Sequence, residues 1–352
     1  MAQLKEYLEK AVSGQASDLF IVAGGLLSAK QENKLVSLSQ NRLSSQETEE
    51  LIREIYQTAG RTMDRFLQQG DDDFSFSVAG LARFRVNVYR QRGSMAAVIR
   101  VVAFNIPSYQ EMGIPEEVIA LSKVSHGMVL VTGTAGSGKS TTQACIIDRI
   151  NQSRECHIIT LEDPIEYLHQ DMKSIVSQRE IAIDTQNYPS ALRACLRQAP
   201  DVILLGEMRD QETIHTAMTA AETGHLLIAT LHTKGAVNTI DRIVDTFPSG
   251  QQDQVRVQLS MVLHTVVSQQ LVPDVSGGLV PAFEIMHVNN AIRSLIRDSK
   301  THQIDNAIAA GGAEGMISMD QSLLALYKNG RITAETALSY GDNPEQLKRR
   351  MN

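Results

Sequence analysis

The part of the sequence best suited to chemistry is a glycine-rich stretch, VTGTAGSGKSTT, at residues 131–142. It fits the pattern G-x-x-x-x-G-K-[ST] at every position. Glycines leave room for backbone N–H groups to close around phosphate oxygens, which bulky side chains would obstruct. We therefore predict a loop that binds the phosphates of a nucleotide. Its residues are Gly133, Thr134, Ala135, Gly136, Ser137, Gly138, Lys139, Ser140 and Thr141.

Secondary structure on both sides must hold this loop in place. The preceding HGMVLVT is a short apolar run typical of a buried parallel strand, and the following STTQACIIDRIN carries apolar residues at helical spacing. Strand-like runs at 128–132, 157–161, 202–206 and 226–231 alternate with helical stretches. This alternation predicts an α/β fold with a doubly wound, mostly parallel sheet.

Polar residues of catalytic type stand at the ends of these strands. Glu162 and Glu207 each follow a strand, His232 follows the last one, and His225 precedes that same strand. Ligands bind at the carboxyl ends of the strands in such a sheet, so we expect the first three around the phosphate loop. Two acids and a histidine there indicate hydrolysis, with one acid near a metal and the other polarising the attacking water. For either histidine, an ordinary packed or surface role is the alternative.

The metal would be Mg²⁺, bound by the hydroxyl of Ser140 and organised by Glu207. Asp201 begins the strand that precedes Glu207, and at about 3.3 Å per residue it lies roughly 20 Å away. Glu207 is therefore the expected metal acid. Lys139 is expected to contact the β- and γ-phosphates.

Composition limits the other classes of function. The 352 residues carry a net charge of −7, which argues against an electrostatic grip on nucleic acid by the whole chain. The three cysteines lack the spacing of a disulfide framework or a zinc site. The N-terminal MAQLKEYLEKAVSG is charged, and no apolar run approaches the length of a membrane span, so we expect a cytosolic protein.

The first part of the chain differs from the rest in its pattern of helical and strand-like runs. Up to about residue 103 it has two helical patterns and short strand-like runs, and the stretch AFNIPSYQEMGIP then lacks any periodic stripe. We predict an N-terminal domain at 1–103, a linker at 104–115 and a second domain at 116–352. Within the second domain, apolar residues at helical spacing in QVRVQLSMVLHTVVSQQLV, residues 254–272, predict one core helix.

A hairpin in the first domain brings two arginines together. ARFRVNVYRQRGSMAAVIRVV alternates on both sides of Arg92 and Gly93, which predicts a two-residue turn. In that register Arg85 faces Arg100. Like charges directly opposite each other are unfavourable, so we expect an anion between them; two solvent-exposed arginines with acids nearby are the alternative.

Four motifs in this order and spacing, VTGTAGSGKSTT, ITLEDPIEYLH, DVILLGEMRD and TAAETGHLLIATLHT, resemble the Walker A, Asp box, Walker B and His box of the secretion ATPase superfamily. The resemblance is strongest to the type IV pilus retraction ATPases and extends to AIRSLIRDSKTHQIDNAI near the C-terminus. The resemblance implies a PAS-like α+β domain followed by a RecA-like P-loop ATPase domain. It also implies ATP and Mg²⁺, a homohexameric ring, and a motor that powers pilus retraction and twitching motility.

The resemblance also implies roles for the predicted residues. Glu162 would be the catalytic base, Glu207 the Walker B acid, and His225 and His232 the His-box pair. Arg85 and Arg100 would reach the ATP of a neighbouring subunit.

The expected partners are further copies of the chain and an inner-membrane pilus platform protein, with a paralogous retraction ATPase as a further candidate and no nucleic acid. The motor would lie in the cytoplasm, peripheral to the inner face of the membrane at the pilus base.

Several alternatives remain within and outside this superfamily. ATPases for pilus assembly or type II secretion usually carry a long extra N-terminal domain and a four-cysteine metal element, which the sequence lacks. A conjugative or DNA-translocating ATPase is the next alternative, and the acidic balance argues against it. A nucleotide-gated scaffold with little turnover would not need the set of Lys139, Ser140, Glu162 and Glu207. Phe20 stands where the family pattern commonly has histidine, and Ser294 where it has asparagine.

Overall fold

The computed structural model of the protein describes residues 2–31, 34–102 and 106–351. It separates into two compact units, one of residues 1–105 with 166–168 and the other of 106–165 with 169–352. The predicted domain end at 103 and the first predicted linker residues, 104 and 105, lie outside the described residues. In the part of the chain that the structure describes, every helix is too short or too polar to cross a membrane.

The N-terminal unit is built on an antiparallel sheet of six strands within the described residues. Its helices are α1 (Ala2–Ser13), α2 (Ser45–Ala59) and α3 (Asp64–Gln69). Its strands are β1 (Asp18–Ile21), β2 (Leu26–Gln31), β3 (Lys34–Arg42), β4 (Asp71–Val78), β5 (Ala82–Gln91) and β6 (Ser94–Val102). The strand order is β3-β2-β1-β6-β5-β4. Pairing of β1 with β6 therefore joins strands β1–β3 and β4–β6 into one sheet.

Local sequence signals account for the form of this unit. Helix α2 begins with a capping box in which the Ser44 hydroxyl accepts from the Glu47 N–H and the Glu47 carboxylate accepts from the Ser44 N–H. Strands β5 and β6 are joined by Arg92 and Gly93, with φ of +48° and +79°. These left-handed values suit a tight hairpin turn whose twist matches its strands.

The second unit holds a sheet flanked by helices. Its strands are β7 (Gly127–Thr132), β8 (His157–Glu162), β9 (Ile175–Glu180), β10 (Val202–Leu205), β11 (Leu226–Leu231), β12 (Leu263–Pro273) and β13 (Leu279–His287). Its helices are α4 (Glu116–Ile119), α5 (Lys139–Ser153), α6 (Tyr188–Cys195), α7 (Gln211–Glu222), α8 (Ala236–Asp245), α9 (Ser249–Val262), α10 (Asn290–Arg297), α11 (Ile304–Ala310), α12 (Met319–Lys328), α13 (Ala334–Tyr340) and α14 (Pro344–Met351).

The strand order is β13-β12-β7-β11-β10-β8-β9, and among these pairs β12 with β13 is antiparallel and the others are parallel. Strand β7 is buried on both faces: Met128 and Leu130 enter one core, and Val129 and Val131 enter the other with helix α5. Burial on both faces explains why the parallel strands read as continuous apolar runs. The predicted doubly wound, mostly parallel α/β sheet is confirmed.

The prediction of one helix over residues 254–272 is wrong in its second half. Helix α9 ends at Val262, and strand β12 begins at Leu263. Thr265, Val266 and Val267 form a β-branched run that suits a strand, and β12 pairs with β7 on one side and with β13 on the other. These long-range backbone hydrogen bonds override the local helical periodicity.

A buried carboxyl group on β13 fixes the start of helix α8. Glu284 is 4 % exposed, and its Oε1 accepts a hydrogen bond of 2.7 Å from the Ala236 N–H. Burial is the largest cause that raises the pKa of Glu284 to about 7; Asp342 and Asp305 add to it, and the Ala236 N–H opposes it. The folded protein therefore holds a proton at pH values where the unfolded chain has released it.

We expect this proton to make stability depend on pH. Because the folded pKa lies above the unfolded value, the contribution is full at low pH and is lost as pH rises through about 7. Substituting Glu284→Gln should remove this fall, which amounts to at most about 3 kcal/mol between about pH 5 and pH 8. Urea unfolding of wild type, Glu284→Gln and the exposed control Glu335→Gln at each pH measures it. Parallel curves for wild type and Glu284→Gln would contradict the prediction.

Candidate active site

The predicted phosphate loop lies between β7 and α5 and is shaped by contact with β12. A Cβ added to Gly133, whose φ is +143°, would lie 2.3 Å from the Gln269 carbonyl oxygen and 2.6 Å from Ser137 Oγ. A Cβ on Gly138, with φ of +89°, would lie 2.8 Å from Gln269 Nε2. Glycine is therefore required at Gly133 for space, and the left-handed φ favours glycine at both positions. Gln269 is held in turn by Thr142, whose hydroxyl donates to Gln269 Oε1 at 2.7 Å.

Lys139 is placed inside this loop by the loop's own backbone. Its ammonium donates to the carbonyl oxygens of Gly133 at 2.9 Å and Thr134 at 2.8 Å, and its side chain is buried. The amino end of α5 also begins at Lys139, where backbone N–H groups and the helix dipole favour an anion. The backbone of the loop therefore fixes where this cation lies.

Two buried hydroxyl groups lie at the end of β7 and in the loop that follows it. In the part of the chain that the structure describes, Thr132 Oγ1 and Ser137 Oγ are buried without a hydrogen-bond partner. Buried polar groups are normally paired, because leaving one unpaired costs about 1–3 kcal/mol. Together with the two glycines, these atoms fit a loop that binds phosphate oxygens.

His232 and Glu207 lie beside the lysine, as the strand-end argument predicted. His232 Nδ1 is 3.5 Å from Lys139 Nζ, and His232 Nε2 is 3.4 Å from Glu207 Oε1. Arg209 Nε is 2.7 Å from the same oxygen of Glu207. The histidine ring therefore bridges the phosphate-loop lysine and the acid that follows β10. Ser140, the other predicted metal ligand, lies half-buried in the first turn of α5.

Glu162 stands at the end of β8, two positions in the sheet from β11. Its Oε1 accepts from Thr160 Oγ1 at 2.6 Å and from Gln178 Nε2 at 3.3 Å. Tyr188 lies in the same acidic surroundings: burial first, and then the charges of Asp163, Glu207 and Glu162, raise the pKa of its hydroxyl. The structure therefore brings Glu162 and Glu207 to one edge of the sheet.

The two histidines of the predicted pair are separated within the chain. His225 precedes β11, and its Nδ1 is 2.9 Å from the Ala220 carbonyl oxygen. His232 follows the same six-residue strand, so the two rings lie roughly 20 Å apart along it. A role for His225 in hydrolysis stays a prediction from the resemblance, without support from the geometry of the single chain.

The predicted arginine pair is found in the N-terminal unit. Arg85 of β5 lies directly opposite Arg100 of β6, so the predicted register is confirmed. Each arginine has a carboxylate beside it: Arg85 Nη2 is 2.7 Å from Asp73 Oδ2, and Arg100 Nε is 3.1 Å from Asp18 Oδ1. These two aspartates offset the positive charge of the arginine pair. The repulsion between the arginines therefore does not by itself require a bound anion.

The chain is similar to known proteins of one described family. The sequence profile of the family described as "Type II/IV secretion system protein" matches residues 1–323. The chain belongs to this family.

Two relatives and one solved structure define its neighbours in the family. The chain is 43 % identical over 345 residues to the type IV pilus retraction ATPase PilT of Pseudomonas aeruginosa, covering 98 % of this chain and 99 % of the relative. It is 47 % identical over 283 residues to a twitching motility protein of Neisseria gonorrhoeae, covering 80 % and 76 %. A crystal structure of the pilus retraction motor PilT with bound ADP matches with a TM-score of 0.89 at 44 % identity, covering 99 % of both chains.

Sequence reasoning missed a cavity of about 290 Å³ beside the loop of this secretion-family chain. Gly138 and Thr141 border it from the loop, and Arg331 adds a cation. Its apolar wall is formed by Met112, Ile114, Leu271, Leu279, Val280 and Pro281. Residues 110–114, predicted as linker, therefore line a cavity of the second unit. The sequence signal for this cavity was the apolar residues at 110–114 and 271–281. Their spacing in the sequence does not indicate that the two segments lie together.

The close approach of the loop to β12 gives a test of this family member's site. Gly133→Ala should lower ATP affinity by at least about 10-fold, because the new Cβ would meet the Gln269 backbone and displace the loop. Gly224→Ala is the matched control, since Gly224 also has a left-handed φ, of +99°, but a Cβ there meets nothing within 4 Å. Titration with a fluorescent ATP analogue and a thermal melt of both variants decide it. Equal affinity losses in the two variants would contradict the steric argument.

Proposed function

We propose that the protein is an ATP-hydrolysing motor that powers retraction of a type IV pilus and works as a ring of six copies. The observation that carries the proposal is the convergence of Lys139, His232, Glu207 and Glu162 at the edge of one sheet, around a loop shaped for phosphate. The names of its relatives, a pilus retraction ATPase and a twitching motility protein, supply the mechanical role.

The phosphate loop and the cavity beside it would bind different parts of the nucleotide. The phosphates would lie in the loop of residues 133–141 against Lys139, and the base and sugar in the adjoining apolar cavity. This division is supported by the cavity's border, which includes Gly138 and Thr141 at the start of α5. An apolar cavity with a few polar groups is the common form of a small-molecule site.

Mg²⁺ would be held together with the nucleotide. Among the described residues, no group of three or more Asp, Glu, His or Cys side chains is arranged to hold a metal ion. Ser140 and Glu207 offer oxygen donors beside the loop, which suits an ion that keeps waters and phosphate oxygens as its other ligands. The bound ion would neutralise charge on the phosphates.

Glu162 is the residue we assign to activate water. Its carboxylate would accept the proton of the water that attacks the γ-phosphorus, while the bond to the oxygen of ADP breaks. Lys139 would stabilise negative charge on the transferred group, and His232, which lies between Lys139 and Glu207, would sense the γ-phosphate. These roles separate binding from turnover.

Two substitutions test that separation. Lys139→Ala should abolish tight ATP binding, because the phosphates lose their main cation. Glu162→Gln should leave binding intact and lower kcat by about 10²–10⁴, because a positioned base is lost. Binding is measured by titration and turnover by phosphate release. Near-normal hydrolysis by Glu162→Gln would remove that residue from its proposed role, and a wild-type protein that binds without turnover would favour a scaffold instead.

Arg85 and Arg100 are proposed to complete the site of an adjacent subunit in the ring. Their side chains are partly exposed, and a cavity of about 280 Å³ between them is lined by Asp18, Asp73, Asn87 and Val98 as well as by the two arginines. Asp73 and Asp18 would release the arginines when a phosphate competes for them. Arginines supplied in trans stabilise the charge of phosphoryl transfer and are worth about 10³–10⁵ in rate.

A mixing experiment tests the interfacial role. Lys139→Ala retains good arginines, and the double mutant Arg85→Ala with Arg100→Ala retains a good phosphate loop. Activity should reappear when the two inactive proteins form mixed rings, because some interfaces then pair an intact loop with intact arginines. Mixed rings that form but stay inactive, or a double mutant nearly as active as wild type, would return the arginines to an exposed hairpin face.

The remaining parts of the proposal concern place and partners. We propose a cytoplasmic motor at the inner face of the membrane, acting on the platform protein of the pilus base, with a paralogous retraction ATPase as a further partner. The names of the relatives support the pilus. The net charge of −7 supports the expectation that nucleic acid is not the cargo.

A further inference from the structure

Strand β9 lies at the edge of the second unit's sheet, and its polar side chains are unlike those of a buried parallel strand. In its register with β8, Thr160 is opposite Gln178, and Glu162 is opposite Glu180. Side chains two apart on a strand share a face, so these four lie on one face of the β8–β9 ladder. The proposed base therefore sits within a cross-strand group of polar residues.

Gln178 forms hydrogen bonds both with Glu162 and with the segment that follows Glu162 in the sequence. Gln178 Oε1 accepts a hydrogen bond of 2.8 Å from the His169 backbone N–H. Because a backbone N–H can only donate, this bond sets the amide so that its NH₂ group is the part directed at Glu162. Gln178 Nε2 donates to Glu162 Oε1 at 3.3 Å, and Thr160 Oγ1 donates to the same oxygen at 2.6 Å.

Glu180 also binds the segment that follows Glu162, at a residue nearer to Glu162. Its Oε2 accepts from the Ile165 N–H at 3.3 Å, and its own N–H donates to Asp184 Oδ2 at 2.8 Å. Glu180 is 3 % exposed, so this carboxylate is fixed in the interior. Two neighbouring β9 side chains thus bind backbone N–H groups at 165 and 169, just after Glu162.

We propose that Gln178 is a positioning residue for ATP hydrolysis: it orients the Glu162 carboxylate toward the attacking water, and β9 supplies the rigid support. The inference rests on the proposed function, because Gln178 would act only through Glu162, the proposed base. Two donors on one carboxylate oxygen limit rotation of the group. A base held in one geometry contributes more to rate than the same base free to turn.

The surroundings of Glu162 make an added negative charge easy to detect. Glu180 lies opposite Glu162 in the strand register, and Asp163, Glu207 and Glu162 all act on the nearby Tyr188 hydroxyl, as does Arg209. The arginine of this set is already paired with Glu207. A second carboxylate in place of the Gln178 amide would lie within reach of the Glu162 carboxylate, and two carboxylates so close share a proton more readily than one alone.

Three variants of the full-length protein test the inference. Gln178→Leu removes the donor, Gln178→Glu keeps the shape and adds a charge, and Ser177→Ala is the matched control. Ser177 lies on the same strand but on the opposite face, where its hydroxyl is 2.9 Å from His157 Nε2. Each variant is assayed for phosphate release across a pH series, for ATP-analogue binding and for thermal unfolding, with wild type and Glu162→Gln alongside.

We expect Gln178→Leu to lower kcat by about 10- to 100-fold while KM and analogue affinity stay within about 2-fold of wild type. Gln178→Glu should move the acid limb of the kcat profile about one unit to higher pH. Ser177→Ala should leave both unchanged.

If wild type hydrolyses ATP and both Gln178 variants match Ser177→Ala in kcat and pH profile, the inference alone is wrong. A loss confined to thermal stability or to analogue affinity would also overturn it. If wild type itself does not hydrolyse ATP, the proposed function fails and the inference fails with it.

Discussion

The close packing of the phosphate loop against strand β12 is the constraint on which the rest of the site depends. Gly133 passes so near the Gln269 backbone that no side chain can be added there. The loop is consequently held between β12 and the start of α5, and its carbonyl groups turn inward onto the ammonium of Lys139. The backbone of the loop thus fixes the position of the main cation of the site.

The parallel sheet then assembles the remaining groups at little conformational cost. Strands β8, β10 and β11 are neighbours, and the residues that follow them emerge at a common edge. Glu162, Glu207 and His232 therefore meet although long stretches of sequence separate them. Buried apolar strands supply the rigidity, since each is packed between two cores and cannot shift without opening both.

Strands with polar side chains on one face carry functional groups in this chain, whereas the wholly apolar strands of the parallel sheet carry packing residues. Strand β9 pairs with β8 and has polar side chains on one face. These side chains bind both the proposed base and the segment that follows it. In the N-terminal unit, β5 and β6 present an arginine pair whose charges are balanced by aspartates on neighbouring strands. Arg85 and Asp73 are both partly exposed, and such a pair contributes little to stability, so Arg85 can exchange partners at small cost.

The sequence by itself determined the features that depend on short-range chemistry. Glycine spacing defined the phosphate loop, continuous apolar runs defined the parallel strands, and a two-residue turn at Arg92 and Gly93 fixed which residues of β5 and β6 face each other. The strand-end residues Glu162, Glu207 and His232 followed from the polarity of a parallel sheet.

Only the tertiary structure decided which distant segments meet. The apolar stretch after Val262 reads as helix by its period, and it became β12 because its backbone pairs with β7 and β13. Contacts of Gln269 with the loop, of Gln178 with Glu162, and of the aspartates with Arg85 and Arg100 join residues far apart in the chain. Local periodicity carries no information about such pairs, because each depends on strand order and register, which the whole sheet sets.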